Sequence, residues 1–386
     1  MKILMIAPTP FFADRGCHVR IYEEARHLQQ LGHEILVCTY PIGREMPGIK
    51  TIRTINPLGY RQLAAGPSWH KFYLDTFLFA NIVKSIRSFQ PDILYAHLHE
   101  GAFWGHLARK ATHRSFPLIL DYQGSLTGEI TAHRFIRSGS WVQRGFQRLE
   151  HWIEAQADVI VTSSTAGMRH LQKTGHTKPM FPLIDGVDTT VFQPASKDQH
   201  LFNQLQLPEN KMIIVFLGLL TEYQGVDLLL QSIQYLRAKT DRFHFLIMGY
   251  PNVAHYRQKA KDLNIEDRIT FTGRIDYRQA NRYLNLGDIA ISPKISSSEA
   301  NGKLLNYMAC GLPTVVFNSS TNRELLGESG IYANWIDSKD LAEQLITLAE
   351  QPGRRRQISN QLRARAVTQF SWQVQAQKLD NILKNL

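Results

Sequence analysis

The segment from Lys294 to Asn306 reads KISSSEANGKLLN and gathers side chains able to hold a hydroxylated or phosphorylated ligand. Ser298, Glu299, Asn301, Gly302 and Lys303 follow one another closely, and Asn306 comes one turn later. A carboxylate accepts hydrogen bonds from hydroxyls, a carboxamide both donates and accepts, and an ammonium balances phosphate charge. If Lys303 opens a helix, the amides there also favour an anion. Ser, Asn and Gly before a helix are ordinary capping and turn chemistry as well, so both readings stand at this point. Three further groups sit where strands are expected to end. They are His97 and His99 in PDILYAHLH, the cluster opened by Gln123 in YQGSLTGE, and Gly16 near the end of PTPFFADRG. The two histidines could touch a substrate, and equally they could be loop histidines bonded to the backbone.

The elements that must position these groups follow from apolar runs and their punctuation. Ile289 to Ser292 is a short buried strand, Lys303 to Cys310 a helical pattern stopped by Gly311 and Pro313, and Thr314 to Phe317 a second strand. Strand, polar loop, helix and strand make one β-α-β unit of a parallel sheet, whose ligands sit beyond the carboxyl ends of the strands. From the start of the chain, strands are expected at Lys2–Ala7, His33–Thr39, Asp92–Ala96, Pro117–Asp121 and Asp158–Thr162. Helices are expected at Val19–Leu31 and from about Ser68 to Phe89. A linker is placed in the turn-rich stretch from about Asp188 to Asn210. A second series then runs through a strand at Lys211–Leu217, a loop with Gly218 and Gly225, a helix at Val226–Leu236, and strands at Phe243–Met248 and Ile269–Phe271. The expectation is an α/β protein of two Rossmann-like domains, 1–185 and 186–372, facing a central cleft. After the break at Pro352-Gly353 and the sequence Phe370-Ser371-Trp372, the last helix, 373–386, is expected to cross back to the first domain.

Composition narrows the class. A chain of 386 residues with 44% hydrophobic and 20% charged residues is of globular type and long enough for two cores. MKILMIAPTP reads as a buried strand rather than a signal sequence, and three cysteines without ligand spacing suit a reducing cytoplasm and argue against a structural zinc site. The formal charge of +11 points to nucleic acid, an anionic membrane or phosphorylated small molecules. No nucleic-acid motif accompanies it, so the latter two are preferred. Between Arg109 and Arg148 seven basic residues face only Asp121 and Glu129, with Phe135, Trp141 and Phe146 interleaved and Trp152 just beyond. A helix of that kind could lie on an anionic membrane, or be partly core and partly solvated. The loop before Gly16 lacks a three-glycine fingerprint, which disfavours a nicotinamide cofactor.

In this order the segments resemble a known family. LQQLGHEILVCTY, PDILYAHLH, ADVIVTSS, DGVDTTVFQP, GVDLLLQSI, ITFTGRI, YMACGLPTVV and FSWQ are similar to successive landmarks of the retaining glycosyltransferases of family 4, which have the two-domain GT-B fold. The similarity covers nearly the whole chain. It implies a nucleotide-sugar donor bound mostly by the second domain. The family's second donor glutamate, which meets the ribose hydroxyls, aligns with Asn306. Its first falls on Ser298, with Glu299 one residue later. Where the family carries an arginine and a lysine after its donor-loop glycine, Gly218 is followed by Leu219 and then Gln224. Lys303 is the best replacement cation, with Lys294 and Arg274 behind it, and the family's histidine near the sugar falls on Gln123.

The resemblance therefore implies transfer of a sugar, with retention, from a nucleotide diphosphate to a glycan or lipid-linked acceptor. The nucleotide sugar is a substrate, and no cofactor is expected. No Asp-any-Asp motif is present, so no metal is expected to be required. The catalytic set is expected to be Glu299, Lys303 and Gln123. Donor contacts are expected from Gly16, Gly218, Gln224, Arg274, Ser298, Asn301, Gly302 and Asn306, and acceptor contacts from His97 and His99. The competing expectation is a non-catalytic nucleotide-sugar-binding or glycan-binding subunit on the same fold.

Overall fold

The computed structural model describes residues 1–13, 16–61, 70–132, 136–295 and 301–386. They form two compact units, Met1–Asp185 with Trp372–Leu386, and Gly186–Ser371.

The first unit is built on strands β1 (Lys2–Ala7), β2 (Glu34–Thr39), β3 (Lys50–Arg53), β4 (Ile93–His97), β5 (Leu118–Tyr122), β6 (Val159–Thr162) and β7 (Met180–Pro182). Their order is β3-β2-β1-β4-β5-β6-β7, and every pairing is parallel. Ile3 to Ala7 and Ile93 to His97 are buried without alternation because helices cover both faces of the sheet. The chain turns back from its first helix, Gly16–Gln30, through Gly32 at φ +90°, a conformation that suits glycine. The last helix, Trp372–Lys384, belongs to this unit. Leu379 and Leu383 join the core cluster of Ile21, Ala25 and Leu28, and His33 Nε2 meets Asp380 Oδ1 at 2.8 Å.

The second unit repeats the plan with β8 (Met212–Leu217), β9 (Phe243–Met248), β10 (Ile269–Gly273), β11 (Ile289–Ser292), β12 (Thr314–Phe317) and β13 (Ile331–Ala333). Their order, β10-β9-β8-β11-β12-β13, places the first and fourth strands side by side, the signature of a Rossmann-like sheet. In both sheets the direction of strand addition reverses beside the first strand. That reversal opens a space at the carboxyl ends, between β1 and β4 and between β8 and β11.

Two expectations change. The stretch placed as a linker is folded into the second unit. Asp188 Oδ1 caps the amides of Thr190 and Val191, Phe192 is buried, and Asn285 Oδ1 accepts from the Ala195 amide. The basic aromatic segment from Arg109 to Arg148 is not one surface helix. Arg109 ends the helix Leu98–Thr112 and turns inward on Asp158 Oδ2 at 2.5 Å. Trp141, Arg144, Phe146 and Arg148 belong to a separate helix, Trp141–Gln156.

Candidate functional site

At the switch point of the second unit, the loop after β8 and the loop after β11 are held together by backbone. The Ile295 amide donates to the Tyr223 carbonyl at 3.1 Å. Gly225 sits at φ +74°, and a Cβ there would lie 1.8 Å from the Pro293 carbonyl oxygen, so only glycine admits this approach. The helix Lys303–Ala309 begins against the same place. Its Tyr307 hydroxyl accepts from the Leu217 amide at 2.7 Å, which fixes the helix to the end of β8.

Lys303 is consequently aimed back across the loop. A Cβ on Gly218 would lie 2.8 Å from its Nζ. The ammonium donates to Gln224 Oε1 and lies over the Phe216 ring, 4.6 Å from the centroid. Burial of this ammonium, together with the charge of the buried Lys294, holds it well below the usual lysine range. Among the described residues no carboxylate meets Lys303. The loop after β8 thus carries no cation of its own at Leu219 or Gln224. A lysine from the next β-α loop reaches the space instead, and Gln224 orients it.

The other residues expected here divide. Asn306 follows Lys303 by one helical turn, is partly exposed, and its carboxamide makes no hydrogen bond among the described residues. Gly302 is exposed before the helix, and Arg274 is exposed just beyond β10, 5.2 Å over the Tyr250 ring. Asn301 points inward. It is 2% exposed and donates to Ser292 Oγ at 3.1 Å and Asn322 Oδ1 at 2.9 Å, so it anchors the loop. Ser298 and Glu299 lie outside the described residues.

The matching space of the first unit is filled differently. Arg20, on the helix that Gly16 opens, is buried with Asp121 and Glu24 and also meets the half-buried Asp185. Its Nε is 3.1 Å from Asp121 Oδ2, and its NH2 is 3.1 Å from Glu24 Oε1. His97 Nδ1 lies 2.8 Å from Asp121 Oδ2, and Gln123 donates to that same oxygen at 2.7 Å. Burial works against the Asp121 charge, but Arg20 and His97 outweigh it and keep the carboxyl below its ordinary range. Burial pushes Glu24 up to about 8 despite the pull of Arg20. His97 is fully buried, and His99, 3% exposed, meets Glu154 at 3.1 Å. Both histidines are therefore inside the unit on carboxylates rather than bonded to backbone or turned to solvent. Gly16 has open space where a Cβ would stand. Sequence reading missed Arg20, Glu24 and Tyr307, which lie on helices with nothing local to mark them.

Two Rossmann-like units, one carrying a lysine-rich switch point, define a class of nucleotide-binding α/β proteins. Family comparison narrows it. The model described as "Glycosyl transferase 4-like domain" matches residues 15–179, and that described as "Glycosyl transferases group 1" matches 211–351. The chain belongs to the GT-B glycosyltransferases. It is 24% identical to sulfoquinovosyl transferase SQD2 of Arabidopsis thaliana over 98% of this chain and 72% of that protein. It is also 25% identical to the GDP-mannose-dependent monoacylated alpha-(1-6)-phosphatidylinositol monomannoside mannosyltransferase of Corynebacterium glutamicum, over 60% of this chain and 64% of that one. Among solved structures, Anabaena HepE in complex with UDP-glucose superposes over 100% of both chains with a TM-score of 0.80 at 18% identity, which shows the fold.

Proposed function

We propose that the protein transfers a glycosyl group, with retention, from a nucleoside diphosphate sugar bound by the second unit to a glycan or lipid-linked acceptor served by the first. The observation that carries this reading is Lys303 at the β8/β11 switch point, a half-buried ammonium without a carboxylate among the described residues. A diphosphate there would supply the missing negative charge, and the amides at the start of the Lys303–Ala309 helix would add to it. In the reaction the bond from the sugar anomeric carbon to the phosphate oxygen breaks. The acceptor oxygen bonds to that carbon from the same face, and the acceptor proton passes to the departing phosphate. Lys303 stabilises the charge that develops on the leaving group, and positioning supplies the rest. Asn306 binds ribose hydroxyls, Arg274 stands by for the phosphates, and Glu299 and Gln123 face the sugar. Gly16, at the open start of its helix, offers amides to the donor. No metal takes part. The mannosyltransferase is named for a GDP-mannose donor and a monoacylated phosphatidylinositol monomannoside, and HepE was solved with UDP-glucose, which supports both halves of the proposal.

A panel of nucleotide sugars screened by thermal unfolding tests the donor. A true donor at a hundred times its dissociation constant should stabilise the protein by about 2.7 kcal/mol. No stabilisation by any member would count against the reading. The absence of cations at Leu219 and Gln224 supports the second reading, a subunit that binds nucleotide sugar without turnover. Release of nucleoside diphosphate, measured with and without chelator, separates the two.

Peripheral attachment to the inner face of an anionic membrane belongs to the same proposal. Among the described residues no helix is long and apolar enough to cross a membrane. The helix Trp141–Gln156 exposes Trp141, Leu149 and Trp152 together with Arg144 and Arg148. Apolar wedges flanked by cations suit a surface of anionic lipid. Co-sedimentation should favour anionic over neutral vesicles, and Arg144→Ala with Arg148→Ala should weaken it by about 2 kcal/mol, near 1 per cation. Equal binding to both vesicle types would remove the electrostatic part.

A further inference from the structure

Three side chains of the first unit, unused by the transfer reaction, converge where the helix Trp141–Gln156 meets the chain leaving the helix Thr165–Lys173. His151 and Glu154 are three residues apart on the first helix and so share a face. His176 follows the end of the second. One ligand atom from each lies within 4.8 Å of the others. Nε2 of His176 is 2.7 Å from Glu154 Oε2, yet this nitrogen has no aligned hydrogen-bond partner in a residue only 8% exposed. The His151 and His176 rings stand 4.0 Å apart between centroids. A buried imidazole nitrogen facing a carboxylate oxygen is an arrangement satisfied by a shared proton or by a shared metal cation. The second oxygen of Glu154 is already fixed by His99 Nε2 at 3.1 Å, as metal-binding carboxylates commonly are. Glu150, one turn away, is occupied by the amides of Leu126 and Thr127.

We propose that His151, Glu154 and His176 bind a divalent transition-metal ion, zinc fitting best, which clamps the helix Trp141–Gln156 to the corner after Thr165–Lys173. Two imidazoles and a carboxylate suit zinc, whose bonds of about 2.0–2.2 Å in tetrahedral geometry would part His176 Nε2 and Glu154 Oε2 slightly to admit the ion between them. His151 is exposed, so the ion has a way in and its fourth position faces water. The cysteine pattern gave no zinc site, and this donor set contains no cysteine. The ion braces the helix that presents Trp141 and Leu149, and it has no step in sugar transfer.

The test uses the full chain without a histidine tag, titrated with zinc chloride against a chromophoric chelator while Tm is followed. One tight equivalent is expected, with a rise in Tm that chelation reverses. His151→Ala and His176→Ala should each weaken binding about a hundredfold or more, and His99→Gln about 10–100-fold through the carboxylate it orients. His255→Ala, at an exposed histidine of the second unit, should leave binding unchanged. Because His151 is exposed, its removal does not threaten folding, and cobalt should give tetrahedral absorption bands that this variant loses. Absence of a tight equivalent, or zinc binding indifferent to His151→Ala, overturns the proposal whatever the transferase assays show.

Discussion

Beside β5 in the first unit, a guanidinium, two carboxylates and an imidazole are packed out of water against one another. Beside β8 and β11 in the second unit, a half-buried ammonium packs against a carboxamide and a ring, with the buried Lys294 nearby. Both places occupy the reversal point of the same strand order, and both put a cation at low dielectric. The cost of desolvating a charge must be met by something of opposite sign. In the first unit the chain supplies it internally, and the result is a rigid brace from the helix Gly16–Gln30 to β4 and β5. In the second unit Lys303 has no such partner among the described residues, and on the function proposed above a donor diphosphate supplies it. On that proposal the difference separates a charge that stabilises the fold from one that serves binding.

The largest test removes the compensated cation. Arg20→Met leaves Asp121 buried without its main partner, and unfolding should become easier by about 3–5 kcal/mol. Asp121 is held below its usual range, so the stability it contributes is present above the ordinary carboxylate pKa and is lost as pH falls beneath it. In the variant burial raises this carboxyl instead, and the deficit should shrink as the pH is lowered from 7 toward 4. A urea titration showing a loss under about 1 kcal/mol, or one independent of pH, would break the comparison from its first side.

Lys303→Ala tests the other side with the opposite signature. Without ligand the variant should be as stable as the parent or more so, since a poorly compensated charge has gone. Binding of the nucleotide sugar should fall by about 1.5–3 kcal/mol, the range for a hydrogen bond to a charged group. The pH dependence has a definite sign. Lys303 titrates well below 10.5 in the unliganded protein because of burial and Lys294. A bound diphosphate favours the ammonium and raises that pKa again. Affinity should therefore be greatest below the unliganded pKa and decline as pH rises through it, while Lys303→Met shows no such decline. Unchanged affinity in the alanine variant would make Lys303 a structural lysine.

Much of this architecture is legible in the residue pattern. KILMIA, IAIS and TVVF are continuous apolar runs closed by polar loops, as strands covered on both faces must be. The short strands β3, β7 and β13 escape, because runs such as KTIR and MFP have no period and are made into strands by their neighbours. At the site, Lys303 is visible as the cation that opens a helix. Its pairing with Gln224 joins residues 79 apart and cannot be read from either segment. Arg20 and Asp121 are likewise 101 apart, and a lone arginine on an amphipathic helix looks solvated until the sheet closes over it. Asn301 misleads for a local reason. Its side chain is the right chemistry for a ligand, but Ser292 and Asn322 take it first.

The smallest effect belongs to Asn306. It stands one turn after Lys303 on the same helix, partly exposed, with its carboxamide making no hydrogen bond among the described residues. A neutral carboxamide bonded to a ribose hydroxyl contributes about 0.5–1.5 kcal/mol, less than a bond that involves the ammonium. Asn306→Ala should therefore weaken nucleotide-sugar binding by that amount and leave the pH dependence set by Lys303 in place. The family resemblance implies a glutamate at this position, so Asn306→Glu should recover or exceed the parent affinity for a nucleotide with an intact ribose. With a 2′,3′-dideoxy analogue the gain should vanish, because the added carboxylate then has no hydroxyl to accept from. Titrating both variants with both nucleotides separates a ribose contact from a general effect on the loop. If Asn306→Ala costs as much as Lys303→Ala, the ordering fails, and the second unit would recognise its ligand through neutral hydrogen bonds rather than through a charge the fold leaves open.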